Sequence, residues 1–222
     1  MCFVFVSCSS GEEDIRGEQI VNNDVQSDTL EDNSDNNEET AEFSLGATDG
    51  LIYENKFIGI GCSLDEGWTF YSDEEIQDLN NYAADVAGED YEEAMKAADI
   101  VYDMYAISDN QLDNIKVNLQ KVNNIALEQL DIKENFENTI PELRKAFENM
   151  GYTDLEFEIT SVSINGEEVM CLQSYGVIDG LTMYQKIVSI KCDGYLSNIT
   201  VTTYQEDLVD SVFETFYYIK NI

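Results

Sequence analysis

The chain has 222 residues, of which 46 are Asp or Glu and 11 are Lys or Arg, for a net charge of −35 at pH 7. So negative a surface excludes nucleic-acid binding, which needs cations against phosphate, and it disfavours adsorption to anionic lipid headgroups. Histidine is absent, which removes every imidazole-based triad and the commonest metal ligand.

The chain opens on a short apolar stub, Met1 to Val6, followed by Ser7, Cys8 and a polar stretch. This order resembles the leader of a bacterial lipoprotein, with Phe5-Val6-Ser7-Cys8 standing as the lipobox. Ser7 and Cys8 fit that motif. Phe5 stands where Leu is usual, and the basic n-region and a full-length apolar h-region are missing. The resemblance implies that the leader begins upstream of Met1 and that Cys8 is acylated and becomes the first mature residue. It implies an address on the outer face of a bacterial cell membrane, Gram-positive by expectation. No apolar run approaches bilayer length, so attachment is expected through the lipid only.

Residues 9–45 hold twelve acidic residues against the single Arg16. Low hydrophobicity and self-repulsion leave too little apolar surface to offset ordering entropy, so this stretch is expected to be a disordered tether. As a flexible coil it spans on the order of 35 Å. Residues 1–8 are then a remnant leader and 46–222 the folded domain.

Within that domain, Leu51–Tyr53 and Lys56–Cys62 read as two short strands or one bent one, and Gly67–Tyr71 as another. Ser72 and Glu75 form a capping box ahead of a helix that carries Ile76, Leu79, Ala83 and Val86 and stops at Gly88. A short helix, Tyr91–Ala98, follows. Ile100–Ile107 and Asn114–Val122 read as strands. Ile125–Met150 is expected to be helical, with Pro141 at an N-terminal turn capped by Thr139 and Glu142. Asn165-Gly166 and Asp193-Gly194 predict two-residue hairpin turns. They set Val162 opposite Val169, Ile159 opposite Leu172, and Val188 opposite Ile199. Glu206–Ile219 is expected to be one amphipathic helix.

The order strands, helix, strands, helix, four-strand meander, helix predicts an α+β fold: a single mainly antiparallel β-sheet flanked by helices, an α/β/α sandwich. Tyr53, Phe57, Gly59 and Ile60 leading to Gly67-Trp68, then the helix capped at Ser72, the long helix, the two hairpins and the last helix, resemble the PsbP-like fold. Element order supplies most of the match, which covers nearly all of 50–219. That fold is shared by the extrinsic PsbP protein of photosystem II, a Ran-binding nuclear import factor and many bacterial proteins. The resemblance implies a binding or assembly module.

Catalytic motifs are missing. There is no G-x-S-x-G, S-x-x-K, P-loop or G-x-G-x-x-G. Cys62, Cys171 and Cys192 have no zinc spacing and no imidazole to activate them, so they are expected to be buried free thiols. Trp68 is the one weak candidate for a ligand-binding residue, with core packing the default. No cofactor and no metal are expected. The reading is a monomeric, lipid-anchored, extracytoplasmic binding or assembly domain whose partner is a cell-envelope protein or a small ligand. A cell-envelope hydrolase built on carboxylates or a Ser-Lys pair is the alternative, and a calcium-dependent adhesion module a weaker one.

Overall fold

A computed structural model of the chain describes residues 43–81 and 100–219. Cys8, the tether up to Glu42, the expected end of the first helix through Ala83 and Val86 to Gly88, and the expected helix Tyr91–Ala98 lie outside them. In chain order the elements are β1 (Ala47–Asp49), β2 (Ile52–Asn55), β3 (Ile60–Ser63), β4 (Trp68–Phe70), α1 (Asp73–Asn81), β5 (Ile100–Ser108), β6 (Asn114–Lys121), α2 (Asn124–Gln129), α3 (Ile132–Asn149), β7 (Thr153–Ile164), β8 (Glu167–Ile178), β9 (Leu181–Cys192), β10 (Tyr195–Thr203), α4 (Glu206–Phe213) and β11 (Phe216–Tyr218).

The fold is mixed α+β with antiparallel pairing, but it contains two sheets rather than one. A four-stranded sheet runs β1-β2-β3-β11, and a seven-stranded sheet runs β4-β5-β6-β10-β9-β8-β7. The short strands alternate in burial: Tyr53 and Asn55 are buried while Ile52 and Glu54 are exposed. A strand with one apolar face is satisfied by lying across another sheet, without joining its ladder. Tyr53, Ile60 and Cys62 accordingly pack with Val101, Met104, Ile115, Val117 and Ile199 in one core. Val209, Val212 and Phe213 of α4 complete it. Each such side chain contributes about 2 kcal/mol by leaving water.

The hairpins form as the turn residues require. Asn165 and Gly166 have φ of 54° and 81°, a left-handed pair that Asn tolerates and Gly adopts freely. Val162 faces Val169 and Ile159 faces Leu172, and Val188 faces Ile199. The capping box holds too: Ser72 N–H donates to Glu75 Oε2 at 2.8 Å, and these bonds hold the Glu75 carboxyl below its usual range.

Three expectations need correction. The long helix is two helices, and α3 is capped by Asp131, whose side chain accepts from Glu134 N–H. Pro141 lies inside α3, not at its start, and the Thr139 hydroxyl donates back to Asn135 O. A mid-helix proline costs about 3 kcal/mol. Buried Phe136, Leu143 and Phe147 on either side of it hold the helix against the sheet. Finally, the last helix stops at Phe213. Residues Phe216–Tyr218 pair instead with β3 as β11, because aromatic side chains favour a pleated, half-buried surface. Gly61 permits the pairing: a Cβ there would lie 2.6 Å from the Tyr217 ring.

Candidate binding groove

The core face of the large sheet is not fully covered at its β7–β9 end, beyond the buried pair Cys171 and Val188. Because cross-strand partners project to the same face, register assembles two rows. Glu156, Tyr175 and Tyr184 lie abreast on β7, β8 and β9, and Glu158, Gln173 and Lys186 lie abreast beside them. Helix α4 faces these rows. Its Glu206 and Asp210 stand one turn apart and share a face, next to buried Val209. Together they enclose a groove of about 530 Å³.

The groove is acidic with an aromatic wall. Four carboxylates line it, Glu156, Glu158, Glu206 and Asp210, against one ammonium, Lys186. That ammonium is already engaged: Lys186 Nζ lies 2.5 Å from Asp210 Oδ1, with 9% of its side chain exposed. The Tyr175 and Tyr184 rings meet edge to face at 5.7 Å and 75°. Desolvation, then the carboxylate of Glu206 and the Tyr175 phenol, push the Tyr184 hydroxyl above its ordinary value. A carboxylate-rimmed aromatic wall attracts cations both by Coulomb's law and by the ring quadrupole.

The other chemistries weighed from the sequence gather no site. The carboxyl group that burial pushes up, Asp103, sits between the two sheets and outside the groove. Lys186 is bonded to Asp210 rather than to a serine. Among the described residues no group of three or more Asp, Glu, Cys or His is placed to hold a metal ion, and no helix is long and apolar enough to cross a membrane. The acidic run Glu31–Glu39 lies outside them.

Trp68 does not line the groove. It is half-buried on edge strand β4, opposite Ser108, and packs on the fringe of the core. Cys62 and Cys171 are buried free thiols, as expected, whereas Cys192 is only half-buried and donates to Phe57 O at 3.0 Å. The sequence reading missed the groove residues. One signal was available: continuing the Asn165-Gly166 register puts Glu156 opposite Tyr175 and Glu158 opposite Gln173. The third strand depends on Asp179-Gly180, a left-handed pair (φ 51° and 81°) that joins β8 to β9.

No protein-family model matches this chain, and no curated protein matches it.

Proposed function

We propose that the protein is a non-catalytic, extracytoplasmic binding module whose groove between β7–β9 and α4 takes a cationic group of a small ligand or of a cell-envelope partner. The observation that carries this reading is the groove's composition: a tyrosine pair and four carboxylates facing one lysine that is already neutralised. In this reading Cys8 is acylated, the tether runs from residue 9 up to Phe43, and the body is a monomer held on the outer face of a bacterial membrane. Phe43 itself packs in the core against Phe57 and Tyr195 instead of belonging to the tether as expected. The α+β architecture and the hairpin registers are compatible with a PsbP-like domain, and the two-sheet arrangement is the feature to compare against that family.

Two measurements test the two halves separately. Palmitate labelling in cells is expected to disappear in Cys8→Ala, and labelling that persists refutes the anchor. Titration of the soluble body with arginine amide, followed by tyrosine NMR shifts, is expected to move Tyr175 and Tyr184. Affinity is expected to fall about tenfold in Glu158→Gln/Glu206→Gln, on the scale of one desolvated cation–π and charge contact. Unmoved tyrosine signals refute the groove.

A further inference from the structure

The opposite face of the seven-stranded sheet carries a second constellation, independent of the groove. On β6, Ile115, Val117 and Leu119 are fully buried in the core, so the alternate residues, Lys116 and Asn118, point to the other side. Register places Tyr105, Lys116 and Thr200 abreast on β5, β6 and β10, and Tyr102, Asn118, Asn198 and Ser189 abreast in the next row.

The hydrogen bonds of that second row run in one direction. Ser189 Oγ donates to Asn198 Oδ1 at 2.6 Å, and Asn198 Nδ2 donates to Asn118 Oδ1 at 3.2 Å. The chain ends on the Asn118 amide nitrogen, whose two hydrogens meet no acceptor among the described residues. Beside it, half-buried Lys116 likewise has neither an ion-pair partner nor a hydrogen bond among them. Burial pushes its ammonium below the usual lysine range, and no neighbouring charge opposes this.

A lysine without a carboxylate among the described residues is anomalous in this chain. Acidic residues outnumber basic ones 46 to 11, and the other lysine withdrawn into the sheet, Lys186, has its carboxylate. Neither nitrogen is among the described buried side-chain atoms left without a partner, so both donors open outward from the sheet. A row of donors left open is therefore complementary to a ligand that brings the acceptors. The adjacent wall is aromatic: the Tyr71 and Tyr105 rings lie 4.5 Å apart, and Tyr102 flanks Asn118. One ammonium plus one amide matches a single carboxylate, whose two oxygens accept from both. The chain's own net charge repels anions of higher valence.

We propose that Lys116 and Asn118 form a binding site for a small aromatic monocarboxylate, its ring against the tyrosines of β5 and its carboxylate on the two donors.

Thermal unfolding of the full chain tests this, with benzoate as the probe and neutral benzamide and inorganic phosphate as controls. Benzoate at millimolar concentration is expected to raise Tm progressively by mass action, and the controls to leave it unchanged. Lys116→Met is expected to raise Tm without ligand, by removing an unpaired charge, and to erase the benzoate response. Asn118→Asp supplies an internal carboxylate on the same face and is expected to erase the response as well, which keeps the test open if the methionine variant fails to fold. The proposal is overturned by no benzoate effect on the unsubstituted chain or by an equal response in the variants. An equal shift with benzamide or phosphate overturns the ligand class.

Discussion

Tyr53 on β2 donates its hydroxyl hydrogen to Asp103 on β5, and this bond ties the small sheet to the large one across the core. The same carboxylate accepts from Asn55 Nδ2 and from Gly46 N–H, each at 2.7 Å. Three donors from the first strands thus converge on one side chain that is 7% exposed. Asp103→Ala leaves the buried Tyr53 hydroxyl without an acceptor, the Gly46 N–H without its partner, and Asn55 Nδ2 with only Ser44 O at 3.3 Å, and a loss of about 3 kcal/mol is expected from urea unfolding.

The same residue predicts a pH dependence. Burial raises the Asp103 carboxyl above its ordinary value of 3.8, against the lowering effect of its three donors. Between 3.8 and the raised value the folded chain holds the extra proton, so this group's contribution to stability falls as pH rises through that window. Asp103→Asn, which does not titrate, is expected to remove that fall. A variant whose unfolding free energy keeps the parent's slope there would show that another group is responsible.

Lys186 and Asp210 separate charge neutralisation from packing. Asp210→Ala strands an ammonium whose side chain is 9% exposed, and a destabilisation of about 2 kcal/mol is expected from chemical denaturation. Lys186→Met removes the charge with its partner still solvated, so stability is expected to stay within about 1 kcal/mol. The groove then carries one more net negative charge, and arginine amide is expected to bind more tightly. Weaker binding in this variant would contradict an electrostatic groove.

Gly61 and Tyr217 are predicted to be coupled. Gly61→Ala drives a methyl group into the Tyr217 ring, whose hydroxyl is held by Glu54 Oε1 at 2.9 Å. Overpacking of this kind costs about 1–3 kcal/mol. Tyr217→Ala is expected to relieve most of that cost in a double-mutant cycle, and strictly additive effects would rule the contact out.

The three body thiols are expected to resist alkylation. Burial pushes Cys62 up to about 12 and Cys171 up to about 11, and it raises Cys192 as well. Since the thiolate is the nucleophile, iodoacetamide at pH 8 is expected to label the native chain slowly and at half-buried Cys192 first. Unfolding in urea is expected to make all three react alike. Mass spectrometry of the digested protein reads both outcomes, and rapid native labelling of Cys62 would refute the buried assignment.

Much of the fold was legible because it rests on local rules. The capping box at Ser72 and the left-handed pair Asn165-Gly166 depend on residues within a few positions of one another, so they need no tertiary knowledge. The failures share a different cause. Phe216–Tyr218 follow an amphipathic helix without a break in pattern, and only the free edge of β3 and the bare backbone of Gly61 make them a strand. Pro141 signals a helix start by its own geometry, and only the packing of Phe136, Leu143 and Phe147 carries α3 through it.

The sequence by itself determined the charge, the missing imidazole chemistry, the antiparallel hairpins and their registers, since these follow from composition and from turn stereochemistry. The tertiary structure alone decided that the strands divide into two sheets, and that Lys186 finds Asp210 while Lys116 finds no carboxylate among the described residues. It also decided that α4 closes one side of the groove. These are contacts between residues far apart in the chain, fixed by which faces bury one another, and no local spacing encodes them.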